Sequence, residues 1–119
     1  MLEKKAALII DDDGLIRQIL HDLLTSAGYS ARCCTNGSAA LDLSKKELFH
    51  IIITDYNMDG MNGADITKEL RVHCPDSLII GISGEPKERD FFEAGADAFY
   101  QKPFSSRELV SLIKDRMLP

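Results

Sequence analysis

The chain has 119 residues, with 14 Lys and Arg against 19 Asp and Glu, a formal charge of −5 at pH 7 with the histidines neutral. That length favours one domain, 1–119 with a core of about 6–117, and is enough to bury roughly two-thirds of the unfolded chain's surface. With 45% hydrophobic and 28% charged residues the composition is globular and excludes a disordered chain. The acidic balance argues against a direct grip on nucleic acid, which needs a basic face. No apolar run approaches the ~20 residues of a membrane span. Met1-Leu2-Glu3-Lys4-Lys5 is followed by only five apolar residues, too short for a secretory leader. Cys33, Cys34 and Cys74 are odd in number, with no metal-type spacing, and read as reduced, buried thiols of a cytoplasmic protein.

Apolar bursts alternate with helical patterns from end to end. Ala6 to Ile10 reads as a buried strand. Leu15, Ile16, Ile19, Leu20, Leu23 and Leu24 then fall at helical spacing and paint one face of a helix that Gly28 stops. Asp13, just before Gly14, reads as the N-cap of that helix. Ser30 to Cys34 is a second strand, and Asn36 caps a helix through Ala39, Ala40, Leu41 and Leu43. Ile51-Ile52-Ile53-Thr54 is the clearest strand, since a run of β-branched residues loses little by being extended. Its unbroken apolarity predicts burial on both faces, as in a parallel sheet. Gly60 and Gly63 bracket a turn before a helix carrying Ala64, Ile66, Thr67 and Leu70, which ends ahead of Pro75. Leu78 to Ile82 forms the fourth strand. Pro86 is predicted to open a helix that ends near Gly95, with Phe91 and Phe92 as packing residues. Ala98-Phe99-Tyr100 is a short fifth strand, and Leu109, Leu112 and Ile113 stripe the last helix. Five strands and five helices in strict alternation predict a three-layer α/β/α sandwich around a parallel sheet.

In such sheets ligands bind beyond the C-terminal ends of the strands. The first strand runs into Asp11-Asp12-Asp13 and the third into Asp55, with Asn57 two residues on. The fourth ends near Ser83, and the fifth leads into Lys102-Pro103-Phe104. Gathering Asp11, Asp12 and Asp55 is unfavourable unless something positive offsets their mutual repulsion. Lys102 is one candidate. A divalent cation is the other, and Mg²⁺ suits it: the ion takes about six oxygen ligands and keeps waters and phosphates in its shell. A metal held by few carboxylates is a phosphoryl-transfer arrangement, in which Ser83 and Lys102 would bind phosphoryl oxygens.

These motifs are Leu8-Ile9-Ile10-Asp11-Asp12-Asp13, Ile52-Ile53-Thr54-Asp55-Tyr56-Asn57-Met58, Gly60-Met61-Asn62-Gly63, Ile82-Ser83-Gly84 and Lys102-Pro103-Phe104. In this order and spacing the chain resembles the receiver domain of two-component response regulators over nearly its whole length. The resemblance implies a flavodoxin-like fold with strand order 2-1-3-4-5. It implies Asp55 as phosphoacceptor, Asp12 as a direct metal ligand and Asp11 as a ligand through water or an orienting group. Asn57 would contribute its backbone carbonyl to the metal. Ser83 would bind the phosphoryl group, and Lys102 would pair with Asp55 and then with phosphate. Phe99 matches the switch aromatic, and the Lys102-Pro103 bond is implied to be cis. The implied cofactor is Mg²⁺, with Mn²⁺ as a substitute. Asp59 stands where the family usually has proline and is expected to face solvent. Gly84 stands where alanine is common and is expected to widen access to the phosphate.

The implied partners are a histidine kinase or histidine phosphotransfer domain and an unspecified downstream effector or fused output domain, with no membrane partner. A phosphorylation-dependent homodimer is a further implied arrangement. The output face would be that of the fourth helix, fifth strand and fifth helix. The implied chemistry is self-directed phosphotransfer and dephosphorylation, without turnover as an enzyme. Two other readings fit parts of the pattern. One is a small Mg²⁺-dependent phosphatase of the haloacid-dehalogenase type, with Asp11 as nucleophile and Asp13 as acid/base. The other is a receiver-like docking module that is never phosphorylated.

Overall fold

The structure is a computed structural model that describes residues 5–116; Met117, at the end of the expected core, lies outside the described residues. The elements alternate as β1 (Ala6–Ile10), α1 (Gly14–Ser26), β2 (Ser30–Cys34), α2 (Gly37–Lys46), β3 (Ile51–Asp55), α3 (Gly63–His73), β4 (Leu78–Ser83), α4 (Glu88–Ala94), β5 (Ala98–Gln101) and α5 (Ser106–Arg116). All neighbouring strands pair in parallel, in the order β2-β1-β3-β4-β5.

Every residue of β3 and β4 is buried, as their unbroken apolar runs require. Successive side chains of a strand point to opposite faces, and this divides the core in two. Ala7, Ile9, Ile51, Ile53, Ile80 and Ile82 meet Leu20 and Leu24 of α1 and Leu109 and Ile113 of α5. Leu8, Ile10, Ile52 and Ile79 meet α2, α3 and α4 through Ala40, Leu41, Ile66, Leu70 and Phe91. The result is three layers, with α1 and α5 on one face of the sheet and the other three helices on the opposite face. Asp13, Asn36 and Asn62 cap α1, α2 and α3 with side-chain oxygens that accept from backbone N–H groups. Among the described residues no helix is long and apolar enough to cross a membrane.

Four expectations need correction. The apolar face of α1 is only partly used: Leu20 and Leu24 are buried, but Leu15 and Ile19 are 69% and 40% exposed. The spacing of apolar residues locates the stripe, but the stripe is wider than the strip of sheet available to cover it. α4 begins at Glu88, not at Pro86. The chain before it is tied into a turn, with Glu85 N–H donating to Ser83 Oγ and Lys87 N–H to the Glu85 carbonyl. Phe91 is fully buried, whereas Phe92 is half exposed. The three thiols are free, but only Cys74 is buried; Cys33 is exposed on the edge strand β2.

Arg71 closes the end of the molecule where the strands begin. Its guanidinium donates to the carbonyls of Gly95, Pro75 and Ser77 and to Asp97 Oδ2. The same Asp97 oxygen accepts from Ile79 N–H. One side chain thus ties α3 to the α3–β4 and α4–β5 connections.

Candidate functional site: an acidic pocket at the strand ends

The opposite end, where the strands finish, carries the charged residues. Asp11 leaves β1 with its backbone N–H donating to the Cys34 carbonyl of β2. Asp55 is the last residue of β3 and sits opposite Ile82 of β4. Ser83 ends β4, and Lys102 N–H donates to its carbonyl at 2.7 Å. Parallel pairing therefore brings residues far apart in the chain to one rim.

Asp11, Asp12 and Asp55 each offer a carboxylate oxygen, and these oxygens lie within 4.8 Å of one another. Asp11 and Asp55 are buried, while Asp12 is exposed. The Lys102 ammonium lies 3.1 Å from Asp11 Oδ2 and 3.1 Å from Asp55 Oδ1. It thus bridges two of the carboxylates whose repulsion it was expected to offset, where the family resemblance implied a pairing with Asp55. The other Asp11 oxygen accepts from Asp13 N–H at 2.9 Å. Burial, and next the charge of Asp11, push the Asp55 carboxyl above its ordinary range, against the pull of Lys102. Burial alone would lower the Lys102 ammonium, but the charges of Asp11 and Asp55 outweigh it and hold Lys102 above its ordinary range.

Three carboxylates face one ammonium, a formal balance of −3 + 1 = −2. Clustered oxygen donors with excess negative charge fit a hard divalent cation.

The loops around the pocket are built tightly. A Cβ at Gly63 would run into the Asp55 carbonyl, so glycine lets α3 start directly against β3. Gly63 N–H donates to the Tyr56 carbonyl and Tyr56 N–H to the Ile82 carbonyl, which pins the residue after Asp55 from two sides. Ser83 is fully buried, and its Oγ accepts from Glu85 N–H at 3.1 Å. Asn57 donates from its side-chain amide to Glu85 Oε1 at 3.0 Å. Asp59 is exposed and lines a shallow depression with Asp12 and Asn57. Gly84 is exposed as well, and a Cβ there would meet nothing within 4 Å. Phe99 is half-buried with its ring 5.7 Å from that of Phe91. The Lys102-Pro103 bond is cis.

Two contacts were not anticipated. Arg17, on the second turn of α1, donates from Nη1 to the Asp11 carbonyl at 2.9 Å and holds the acidic loop against the helix. Its position six residues after Asp11 is the only hint in the sequence. The Lys87 ammonium lies 4.7 Å above the Tyr56 ring, a cation–π contact that no local pattern signals.

A doubly wound α/β sheet with an acidic, cation-ready pocket opposed by a lysine fits the class of α/β domains that handle phosphoryl groups. The chain belongs to the response regulator receiver domain family, whose model matches residues 7–114. It is 34% identical over 114 residues to "Probable transcriptional regulator ycf27" of Porphyra purpurea, covering 94% of this chain and 47% of that protein. The chain therefore spans about half the length of such relatives. Among solved structures it is similar to the chemotaxis protein CheY4 of Vibrio cholerae, at 28% identity and a TM-score of 0.88, covering 97% of this chain and all of that one. It is also similar to the response regulator TrrA of Thermotoga maritima, in complex with Mg²⁺ and BeF, at 28% identity and a TM-score of 0.86, covering 95% and 99% of the two chains.

Proposed function

We propose that residues 1–119 form one receiver unit that accepts a phosphoryl group on Asp55 from a phosphohistidine of a kinase or phosphotransfer partner. The observation that carries this reading is a buried Asp55 carboxylate 3.1 Å from the Lys102 ammonium and within 4.8 Å of the Asp11 and Asp12 oxygens. A carboxylate oxygen of Asp55 attacks phosphorus, the bond from phosphorus to the donor imidazole nitrogen breaks, and the product is an acyl phosphate. Lys102 balances charge on the phosphoryl oxygens, and the Ser83 hydroxyl donates to one of them. Asp11, Asp12, Asp55 and the Asn57 carbonyl would hold Mg²⁺, which supplies further neutralisation of the same oxygens when bound. Water later hydrolyses the acyl phosphate. Both steps occur on the domain itself, so it acts as a switch rather than a turnover enzyme, in the cytoplasm where such kinases present their phosphohistidine.

The phosphatase alternative loses support from the hydrogen bonds. Asp11 is fully buried, with one oxygen held by Lys102 and the other by Asp13 N–H. The Asp13 carboxylate caps α1 by accepting from Leu15 and Ile16 N–H, which takes it away from acid/base work. The test is uptake of radiolabel from acetyl phosphate or a phosphohistidine donor with Mg²⁺. Wild-type protein is expected to be labelled and Asp55→Asn to remain unlabelled. Equal labelling of the two would refute the assignment.

A further inference from the structure

We propose that Phe91 is the residue through which occupation of the site moves α4; this rests on the phosphoacceptor reading above. α4 has seven residues, about two turns, and a helix that short is not stable alone. Its N-cap, Lys87, makes no side-chain cap bond, and it buries only Phe91 and Ala94. Phe91 is therefore the one large side chain that seats the helix in the core.

That side chain sits in a slot made by two glycines. The Phe91 ring lies on β4 at Gly81, where a Cβ would enter the ring, and a Cβ at Gly63 would strike the ring's far end. Tyr56 meets the ring edge-on, with centroids 5.9 Å apart and planes at 78°. Phe99 meets it on another side at 5.7 Å and 34°. Tyr56 directly follows Asp55 and is pinned to β4 and α3 through its backbone. Phe99 lies on β5 beside Gly81, three residues before Lys102. One ring thus touches both the residue after the phosphoacceptor and the aromatic of the fifth strand. Lys87, stacked over Tyr56 at 4.7 Å, adds a second tie at the start of the helix.

The slot leaves little slack. Its floor is backbone, and close-packed interiors transmit displacement rather than absorb it. When either Tyr56 or Phe99 shifts, Phe91 shifts too, and α4 follows because Phe91 is the one large side chain it buries. The outward neighbour, Phe92, is 50% exposed and carries that movement to the surface. Phe91 is a positioning residue: it touches no reacting atom and acts through the rings on either side of it.

The experiment is an NMR titration of ¹⁵N-labelled protein with Mg²⁺ and beryllofluoride, reading the amides of α4 at Phe92 and its neighbours. Label uptake from acetyl phosphate is measured in parallel. In the wild type the α4 amides shift on addition. In Phe91→Leu label uptake stays at the wild-type rate while the α4 shifts are lost, a split that a merely structural role would not produce. Lys87→Gln, which leaves the core intact, weakens the α4 response without changing uptake. Wild-type α4 shifts in Phe91→Leu with normal uptake overturn the proposal. If that variant does not fold, Phe91→Met replaces it, with the same two outcomes. Absent labelling of the wild type would instead strike the phosphoacceptor reading.

Discussion

Replacing Lys102 with methionine removes the ammonium that lies 3.1 Å from both Asp11 Oδ2 and Asp55 Oδ1. At an effective dielectric of about 20, each of those attractions is worth roughly 5 kcal/mol before desolvation is subtracted. The carboxylate oxygens left behind lie within 4.8 Å of each other, a repulsion of roughly 3.5 kcal/mol on the same scale. Lys102 is 21% exposed, so solvent screens part of the loss. We expect Lys102→Met to cost about 3 kcal/mol, the low end for breaking a buried pair. Urea denaturation near pH 7.5, without divalent cations, measures it. The pH dependence has a definite sign. Asp55 already lies above the usual carboxylate range through burial and the Asp11 charge, and losing Lys102 drives it higher. Between the unfolded and folded values the native state holds a proton that the unfolded state releases, so stability rises as pH falls. The cost of the substitution therefore shrinks toward about pH 5. A cost under about 1 kcal/mol, or the same cost at both pH values, would refute the electrostatic reasoning.

Other consequences can be checked on the same protein. Gly81→Ala forces a methyl into the Phe91 ring and should destabilise by about 1–3 kcal/mol in urea titrations. Arg71→Ala, which takes the guanidinium away from Asp97 and three carbonyls, should cost about 3 kcal/mol, whereas removing the exposed Arg32–Glu47 pair should cost under about 1 kcal/mol. Calorimetric titration with Mg²⁺ should give clearly weaker binding for Asp12→Ala and nearly wild-type binding for Asp59→Asn, which faces solvent. Lys102 is held above its ordinary range by Asp11 and Asp55 against the effect of burial. Its contribution is therefore complete below the unfolded value of about 10.4 and disappears as pH rises through the folded one; alkaline melts compared with Lys102→Met test this.

The parts legible from the chain were those written in local patterns. The unbroken apolar runs at Ile51–Ile53 and Leu78–Ile82 announced strands buried on both faces. The residues at their ends marked the rim, and Asp13 and Asn36 announced their helices through capping chemistry. What stayed hidden depends on partners remote in the chain. Leu15 and Ile19 fit the stripe of α1, yet the sheet does not reach them. Pro86 looks like a first helical residue, but the Ser83–Glu85 bond delays the helix by two positions. Arg17 gripping the Asp11 carbonyl and Phe91 filling the space over Gly81 both follow from three-dimensional packing. Gly81 inside a strand signals a close approach, but what approaches cannot be read from it.

Borohydride trapping followed by peptide mass mapping tests phosphorylation of Asp55 most directly. The reagent reduces an acyl phosphate to an alcohol and so marks the carboxylate that carried it. After incubation with acetyl phosphate and Mg²⁺, reduction is expected at position 55 alone. Reduction at Asp11 would instead identify the phosphatase-type nucleophile, and no reduction at any aspartate would leave a docking module without phosphoryl chemistry.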